Sequence, residues 1–223
     1  MNYDKPILTV DVVALRLNAG ELEVALAPRK EAPFEGLLAL PGGFVHTDKD
    51  ESTDATALRV LNHKFSFVPT HLEQVYTVSG AGRDPRGWSA SVVYLALLSS
   101  EQVQALSQSV AGLTWASVER PLPPTAFDHG ALVRGALERL RSKAQYSTIV
   151  AHLLPSTFVM SELHDAYQHV LKRKLDPANF RRKMLELGGL TALGVQGEEG
   201  QRGRPSTRYQ LAQGLAYFDR TLA

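Results

Sequence analysis

No cysteine occurs in the 223 residues, which excludes disulfides, zinc ribbons and thiol chemistry. No apolar run approaches the ~18 residues of a membrane span. MNYDKPILTV also lacks the cationic and apolar regions of a leader peptide, so the expected location is the cytoplasm, with no membrane partner. The seven histidines show no HxH or HExxH spacing, and the serines have no nucleophile-elbow context. No metal site and no catalytic residue are therefore expected. There is no internal repeat and no low-complexity tract. Neither charge sign is in large excess, with 24 Lys+Arg against 23 Asp+Glu.

The near-neutral total hides a division. Residues 1–140 carry 12 Lys+Arg and 16 Asp+Glu, whereas residues 141–223 carry 12 and 7. An acidic front joined to a basic back points to a polyanionic partner for the back. With 44% hydrophobic residues the chain can bury a sizeable core, and its length suits two small domains or one large one.

The front half reads as an α/β unit. Residues 7–17 and 21–28 are β-rich and meet across Asn18-Ala19-Gly20, a hairpin signal; 72–79, 91–98 and 113–118 supply further strands. A Gly/Arg/Asp-rich loop is predicted over 80–91. Helices fit near Ser52–Phe65 and Asp128–Arg141, the second with Val133, Ala136, Leu137 and Leu140 in helical register and Asp128 as N-cap.

After about residue 142 the rhythm changes. A short helix fits Ser147–Leu154 and is stopped by Pro155. Ser161 is expected to cap a helix striped by Leu163, Ala166, Tyr167, Val170 and Leu171. Asp176-Pro177 opens a third, with Phe180, Met184 and Leu187 inward and Leu185 off the stripe. Segments 190–195 and 206–212 then read as a hairpin around 196–205. Three helices and a two-stranded wing are the winged helix-turn-helix pattern. The predicted domains are therefore 1–142 and 143–223.

Two clusters carry chemistry. On the third helix Asn179, Arg181, Arg182 and Lys183 lie away from Phe180, where arginine reads guanine and asparagine adenine. Arg202, Arg204 and Arg208 add charge on the wing. Together these residues point to a double-stranded DNA operator. In the front half, Arg83 and Arg86 flank Asp84 and precede Trp88; paired guanidiniums suit a diphosphate, and the indole suits a base. Arg29 and Lys30, with Phe34 close behind, offer further positive charge.

Residues 42–67, GGFVHTDKDESTDATALRVLNHKFSF, resemble the Nudix box of metal-dependent pyrophosphate hydrolases. Glu51 precedes Arg59 by eight positions, Gly43 precedes the helix, and Leu61 and Phe67 fill the apolar slots. Val60, His63 and Lys64 stand where the box has helix glutamates, Ser66 replaces its glycine, and the Gly43–Glu51 gap is two residues too long. Magnesium needs carboxylate oxygens, and Lys64 opposes what Glu51 alone would offer it. The frame without the acids implies binding without cleavage.

The chain as a whole resembles the Nudix-related transcriptional regulators of NAD metabolism, the NrtR family. PFEGLLALPGGFV (33–45), the 71–88 segment ending in RDPRGW, AFDH at 126–129 and LDPANFRRK at 175–183 carry the likeness. It implies a Nudix-like α/β/α sandwich followed by a winged helix, in a homodimeric repressor. It also implies an effector such as ADP-ribose, or NAD, held by Arg29, Lys30, Phe34, Gly43, Arg59, Arg83, Asp84, Arg86 and Trp88, with no cofactor. The competing readings are a pyrophosphohydrolase and a sugar-responsive regulator of the same architecture.

Overall fold

The computed structural model describes residues 5–65, 69–106, 112–196, 206–212, 214–218 and 222, with the backbone alone at 64–65, 104–106 and 195–196. Strand β1 (Ile7–Asn18) is the centre of the front domain. Val10, Val12, Val13, Ala14 and Leu15 are all fully buried. A run of that kind, broken only by the buried Asp11, belongs to a strand covered on both faces.

Strand β2 (Glu21–Pro28) returns beside β1 as a hairpin, with Asn18 opposite Glu21. On its other side β1 runs parallel to β6 (Gly87–Leu98), from Ile7 beside Ser89 to Arg16 beside Leu98. Strand β5 (His71–Asp84) closes that edge antiparallel to β6. Short strands β3 (Leu38–Ala39), β4 (Gly42–Phe44) and β7 (Thr114–Ser117) complete the sheet by pairing with β2, β1 and β2.

Helix α1 (Thr53–Phe65) and helix α2 (Ser100–Leu106) cover one face, where Ala57, Leu61 and Val103 pack on Val10, Val12 and Tyr94. Helix α3 (His129–Ala144) covers the other through Leu132, Val133, Ala136 and Leu140. The expected α/β/α sandwich is present. Helix α2 was not foreseen, although the Ser99 hydroxyl accepts from the Gln102 N–H and the Gln102 side-chain Oε1 accepts from the Ser99 N–H. That reciprocal cap has the S-x-x-Q signature.

The predicted 80–91 loop is corrected. Both strands continue into it, and Asp84 pairs with Gly87 across Pro85-Arg86. Asp-Pro-x-Gly is the signature of a tight turn: proline sets the first central φ, and the Asp84 carboxylate accepts from the Arg86 N–H at 2.9 Å.

The back domain begins with a 3₁₀ turn at Ile149–Leu153, where a short helix was expected. Strand β8 (Phe158–Val159), helices α4 (Met160–Leu171) and α5 (Pro177–Glu186), and strands β9 (Leu190–Gln196) and β10 (Ser206–Leu211) follow. The wing is a three-stranded sheet in the order β8-β10-β9, one strand more than expected. Leu163, Ala166, Tyr167 and Val170 are buried as the stripe required, and Phe180 meets the Tyr167 ring edge-on at 5.1 Å. Leu185 is exposed. Asp176 caps α5 by accepting from the Asn179 N–H at 2.7 Å. The cap expected of Ser161 is made instead by the Glu162 carboxylate, which accepts from the Val159 N–H at 2.8 Å.

The two domains share one core. A single apolar cluster runs from Val13 and Leu15 through Leu140 and Ala144 to Phe158, Phe180 and Tyr209. Helix α3 crosses the 142/143 boundary and ends at Ala144. Lys143 near its end pairs with Glu73 of β5, and Arg139 approaches the same carboxylate at 3.5 Å. Burial pushes Glu73 upward, but the hydrogen bonds from His71 and Lys143 outweigh it and hold the carboxyl at about 2. The tail lies along 145–148: the Ala216 carbonyl accepts from Thr148, Phe218 donates to Tyr146 and Leu222 to Gln145.

Candidate functional site

A cavity of about 340 Å³ opens on the α3 face of the sheet, between the ends of β1, β2, β4 and β6 and the loop before α3. The AFDH segment builds much of its wall. The Ala126 N–H donates to the Leu38 carbonyl at 2.8 Å and fixes the loop to β3. Phe127 then takes φ 52°, which turns its ring over the cleft. Phe34, at φ 64°, meets that ring edge-on at 4.8 Å. Bulky residues in the left-handed region are strained, and such strain persists where surrounding structure holds it.

Asp128 and His129 follow. Asp128 was expected to cap α3, but its side chain makes no cap bond. Its carboxylate accepts the fork of Arg83 at 2.7 and 2.8 Å instead, because a guanidinium outcompetes a backbone N–H as a partner. His129 is buried; its Nδ1 accepts from the Leu40 N–H at 3.0 Å and its Nε2 lies 3.5 Å from Asp11 Oδ1. Burial lowers the His129 pKa, and Asp11 only partly opposes this.

RDPRG supplies the opposite wall. Arg86 forks onto Asp84, its Nη2 2.6 Å from Oδ2, and its guanidinium lies 5.0 Å from the Phe44 ring and 5.8 Å from Phe127. The Arg86 hydrogen bonds hold Asp84 below the usual carboxylate range. Arg29 donates to the Pro33 carbonyl at 2.7 Å and sits 4.8 Å from Phe127. Burial, then the neighbouring Arg86, lowers its pKa. The arginines are thus drawn into one mouth with aromatic rings beside them, an arrangement suited to a diphosphate attached to a base.

Of the expected effector residues, Arg29, Lys30, Gly43, Arg83, Asp84 and Arg86 line this cleft, and Phe34 supports its wall through Phe127. Arg59 and Trp88 do not line it. Arg59 is spent on structure: it forks onto Asp50 at 2.6 Å and donates to the Phe44 carbonyl at 2.9 Å. Its acidic partner is therefore Asp50 rather than the neighbouring Glu51. Trp88 is half exposed on the opposite face from Ser89, since successive strand residues alternate. Its expected place against a base in this cleft is corrected accordingly. Sequence reasoning missed Asp11, Phe44, Phe127 and His129. Val60 lies against Gly43, where a Cβ would come within 3.2 Å of its methyl.

On the back domain Arg181 and Arg182 are exposed on α5, with Asn179 and Lys183 partly so. Arg182 is held by Glu186 at 3.1 Å and by the Asn179 side-chain Oδ1 at 2.8 Å. Arg208 of β10 reaches the Thr157 hydroxyl at 3.4 Å, while Arg202 and Arg204 lie outside the described residues. The turn before α5 is fixed by His164, 3.0 Å from the Leu175 carbonyl, and by Gln168, which accepts from the Leu175 N–H. It adds exposed Arg173 and Lys174, which sequence reasoning overlooked. Among the described residues no helix is long and apolar enough to cross a membrane.

Sandwich, cleft and basic head define a Nudix-type domain joined to a DNA-binding winged helix. Residues 150–211 match the NrtR DNA-binding winged helix domain. The chain is 34% identical over 212 residues to the ADPR responsive transcriptional repressor NtrR of Acinetobacter baylyi, covering 95% of this chain and 84% of that protein. The structure of Shewanella oneidensis NrtR complexed with a 27mer DNA superposes with a TM-score of 0.89 at 36% identity, over 97% of this chain and 99% of that one. The Nudix domain of the same protein, complexed with ADP ribose, matches at 38% identity and a TM-score of 0.54, over 62% and 90%. A more distant likeness, 27% over 132 residues, is to the ADP-ribose pyrophosphatase of Methanocaldococcus jannaschii, over 59% of this chain and 73% of that protein. The chain belongs to the NrtR family of transcriptional regulators.

Proposed function

We propose that this chain is a homodimeric repressor whose hold on operator DNA is set by ADP-ribose, ahead of NAD, bound in the Arg29–Arg83–Arg86 cleft. The observation that carries the reading is the Arg83–Asp128 pair. Arg83 belongs to the mouth of the cleft, and Asp128 immediately precedes α3, whose far end is tied to the winged domain. A diphosphate offers Arg83 a better-charged partner than one carboxylate and releases Asp128.

Strand β5 and helix α3 form a strut between the two ends. They are joined by Arg83–Asp128 at the cleft, by the Tyr76 hydroxyl donating to the Leu132 carbonyl, and by Glu73–Lys143 beside the head. Releasing the first tie shifts α3, and the shared core carries each DNA-reading head with it. In a dimer two such heads address half-sites about 34 Å apart, so a palindromic operator is expected.

Hydrolysis is not part of the proposal. Val60 presents a methyl toward Gly43 where a metal-holding helix needs a carboxylate, and Asp50 is committed to Arg59. The test is calorimetric titration with ADP-ribose, with and without operator DNA. Ligand is expected to weaken DNA binding by about 5- to 150-fold, and DNA to weaken ligand binding by the same factor. Equal ligand affinity in both titrations refutes the coupling. Magnesium-dependent turnover on the order of 1 s⁻¹ restores the hydrolase reading.

A further inference from the structure

Of the three carboxylates on this cleft, Asp11, Glu31 and Asp84, the first and last lie at opposite ends of its charge pattern. Asp84 is held by Arg86, whereas Asp11, almost fully buried, has only His129 within ion-pair range among the described residues. The Nδ1 of that histidine accepts from the Leu40 N–H, which leaves the ring neutral, and burial favours that form; Arg29 acts on Asp11 only from beyond ion-pair range. Ser91 donates its hydroxyl to Oδ2 at 2.6 Å. The other oxygen, Oδ1, faces His129 Nε2 across 3.5 Å, the limit of a hydrogen bond, and Asp11 lines the cavity. A Cβ on Gly42 would fall 2.2 Å from Oδ1, so only glycine there leaves the carboxylate in place.

A buried carboxylate accepts hydrogen bonds and needs donors. A diphosphate supplies none, and its charge keeps it away from Asp11 and beside the arginines. A contiguous path leads inward from them: Arg86 to Phe127 at 5.8 Å, Phe127 to His129 at 5.3 Å, and His129 to Asp11 at 3.5 Å. The cleft therefore presents cations at its mouth and an acceptor on its floor. A molecule matching that order has an anionic middle and a neutral, hydroxyl-bearing end.

We propose that Asp11 is the specificity-determining residue of this cleft, accepting hydrogen bonds from the hydroxyls of the sugar that lies beyond the diphosphate. The assignment rests on the proposed ADP-ribose reading and adds which end of the ligand the protein discriminates. Gly42 and Ser91 are its positioning residues: one leaves room for the carboxylate and the other orients it.

The experiment is calorimetric titration of the full-length protein with ADP-ribose and with ADP, which lacks the terminal sugar. The wild type should bind ADP-ribose at least ~10-fold more tightly than ADP. Asp11→Asn should cost ADP-ribose about 10- to 100-fold, the worth of charge-assisted hydrogen bonds. Its affinity for ADP should hold or rise, because a negative charge has left the surroundings of an anion. Parallel loss of both ligands would make Asp11 a packing residue, and parallel gain a mere source of repulsion; either overturns the proposal, as do equal wild-type affinities for the two ligands. A wild type that binds neither ligand sinks the proposed function itself. Should Asp11→Asn fail to fold, Ser91→Ala decides: a smaller ADP-ribose preference is expected, and an unchanged one overturns the assignment.

Discussion

Replacing Asp128 by asparagine removes one charge and leaves the side-chain outline nearly unchanged. Arg83 gives its fork to this carboxylate at 2.7 and 2.8 Å, with the two side chains 13% and 29% exposed. After solvent screening, a forked pair so placed is worth about 1–2 kcal/mol. A diphosphate must draw Arg83 away from Asp128, so that free energy opposes ligand binding. Asp128→Asn should return it, tightening ADP-ribose by about 5- to 30-fold at ~1.4 kcal/mol per tenfold. Removing any anion near the cleft would also help a diphosphate, so a second readout is needed. If the pair is the switch, the variant should hold operator less tightly without ligand, and ADP-ribose should change that affinity less than in the wild type. Calorimetry gives the first number and fluorescence anisotropy on labelled operator the second. Unchanged or weaker ADP-ribose binding, in a variant with the wild-type melting temperature, refutes the reasoning; tighter binding with undiminished coupling reduces Asp128 to simple repulsion.

Arg182→Ala should cost about 1–3 kcal/mol of operator affinity and relax sequence preference; an equal loss on scrambled DNA would make Arg182 a phosphate contact. Gly135→Ala would place a Cβ 2.4 Å from the Tyr76 hydroxyl, an overpacking cost of about 1–3 kcal/mol at roughly 2–4 °C in Tm each. Tyr76→Leu should recover part of that loss, and strictly additive effects would show that the two do not meet. Acid should loosen the domain boundary, where burial pushes His152 down to about 4 and Glu73 is held at about 2. Both groups take protons more readily when unfolded, so their stabilisation is complete above pH 6.5. It is lost as pH falls from 6.5 to about 4 for His152 and from 4.5 to about 2 for Glu73. Each contributes about 1–3 kcal/mol, and a Tm-against-pH profile unchanged by His152→Leu in the upper window would exclude His152 as a cause.

What could be read in the sequence was local. The hairpin at Asn18–Gly20, the Asp176-Pro177 start and the Phe180–Met184 face each follow from residues within one element. The cleft was only half legible because its parts converge from β1, β4, β5 and the loop before α3. Nothing in the spacing brings Asp11 to His129 across more than a hundred positions. Trp88 was misplaced for a different reason: a loop reading of 80–91 concealed the two-residue alternation that turns Ser89 inward and Trp88 outward. Glu51 and Asp50 are chemically alike neighbours, and only the reach of Arg59 distinguishes them.

The apolar cluster that passes without interruption from the sheet to the head makes this chain poorly divisible. A recombinant head cut free at residue 143 would lose the Leu137 and Leu140 side of its packing. The remaining sandwich would bare the same surface. Grafting the head of one relative onto the front of another should therefore succeed only when the residues on both sides of that seam are carried over together. Inheritance is constrained in the same way: a substitution that adapts Phe158 or Val170 to a new operator-reading posture must be tolerated by α3. The two halves should drift as one unit, and heat should melt them in one transition.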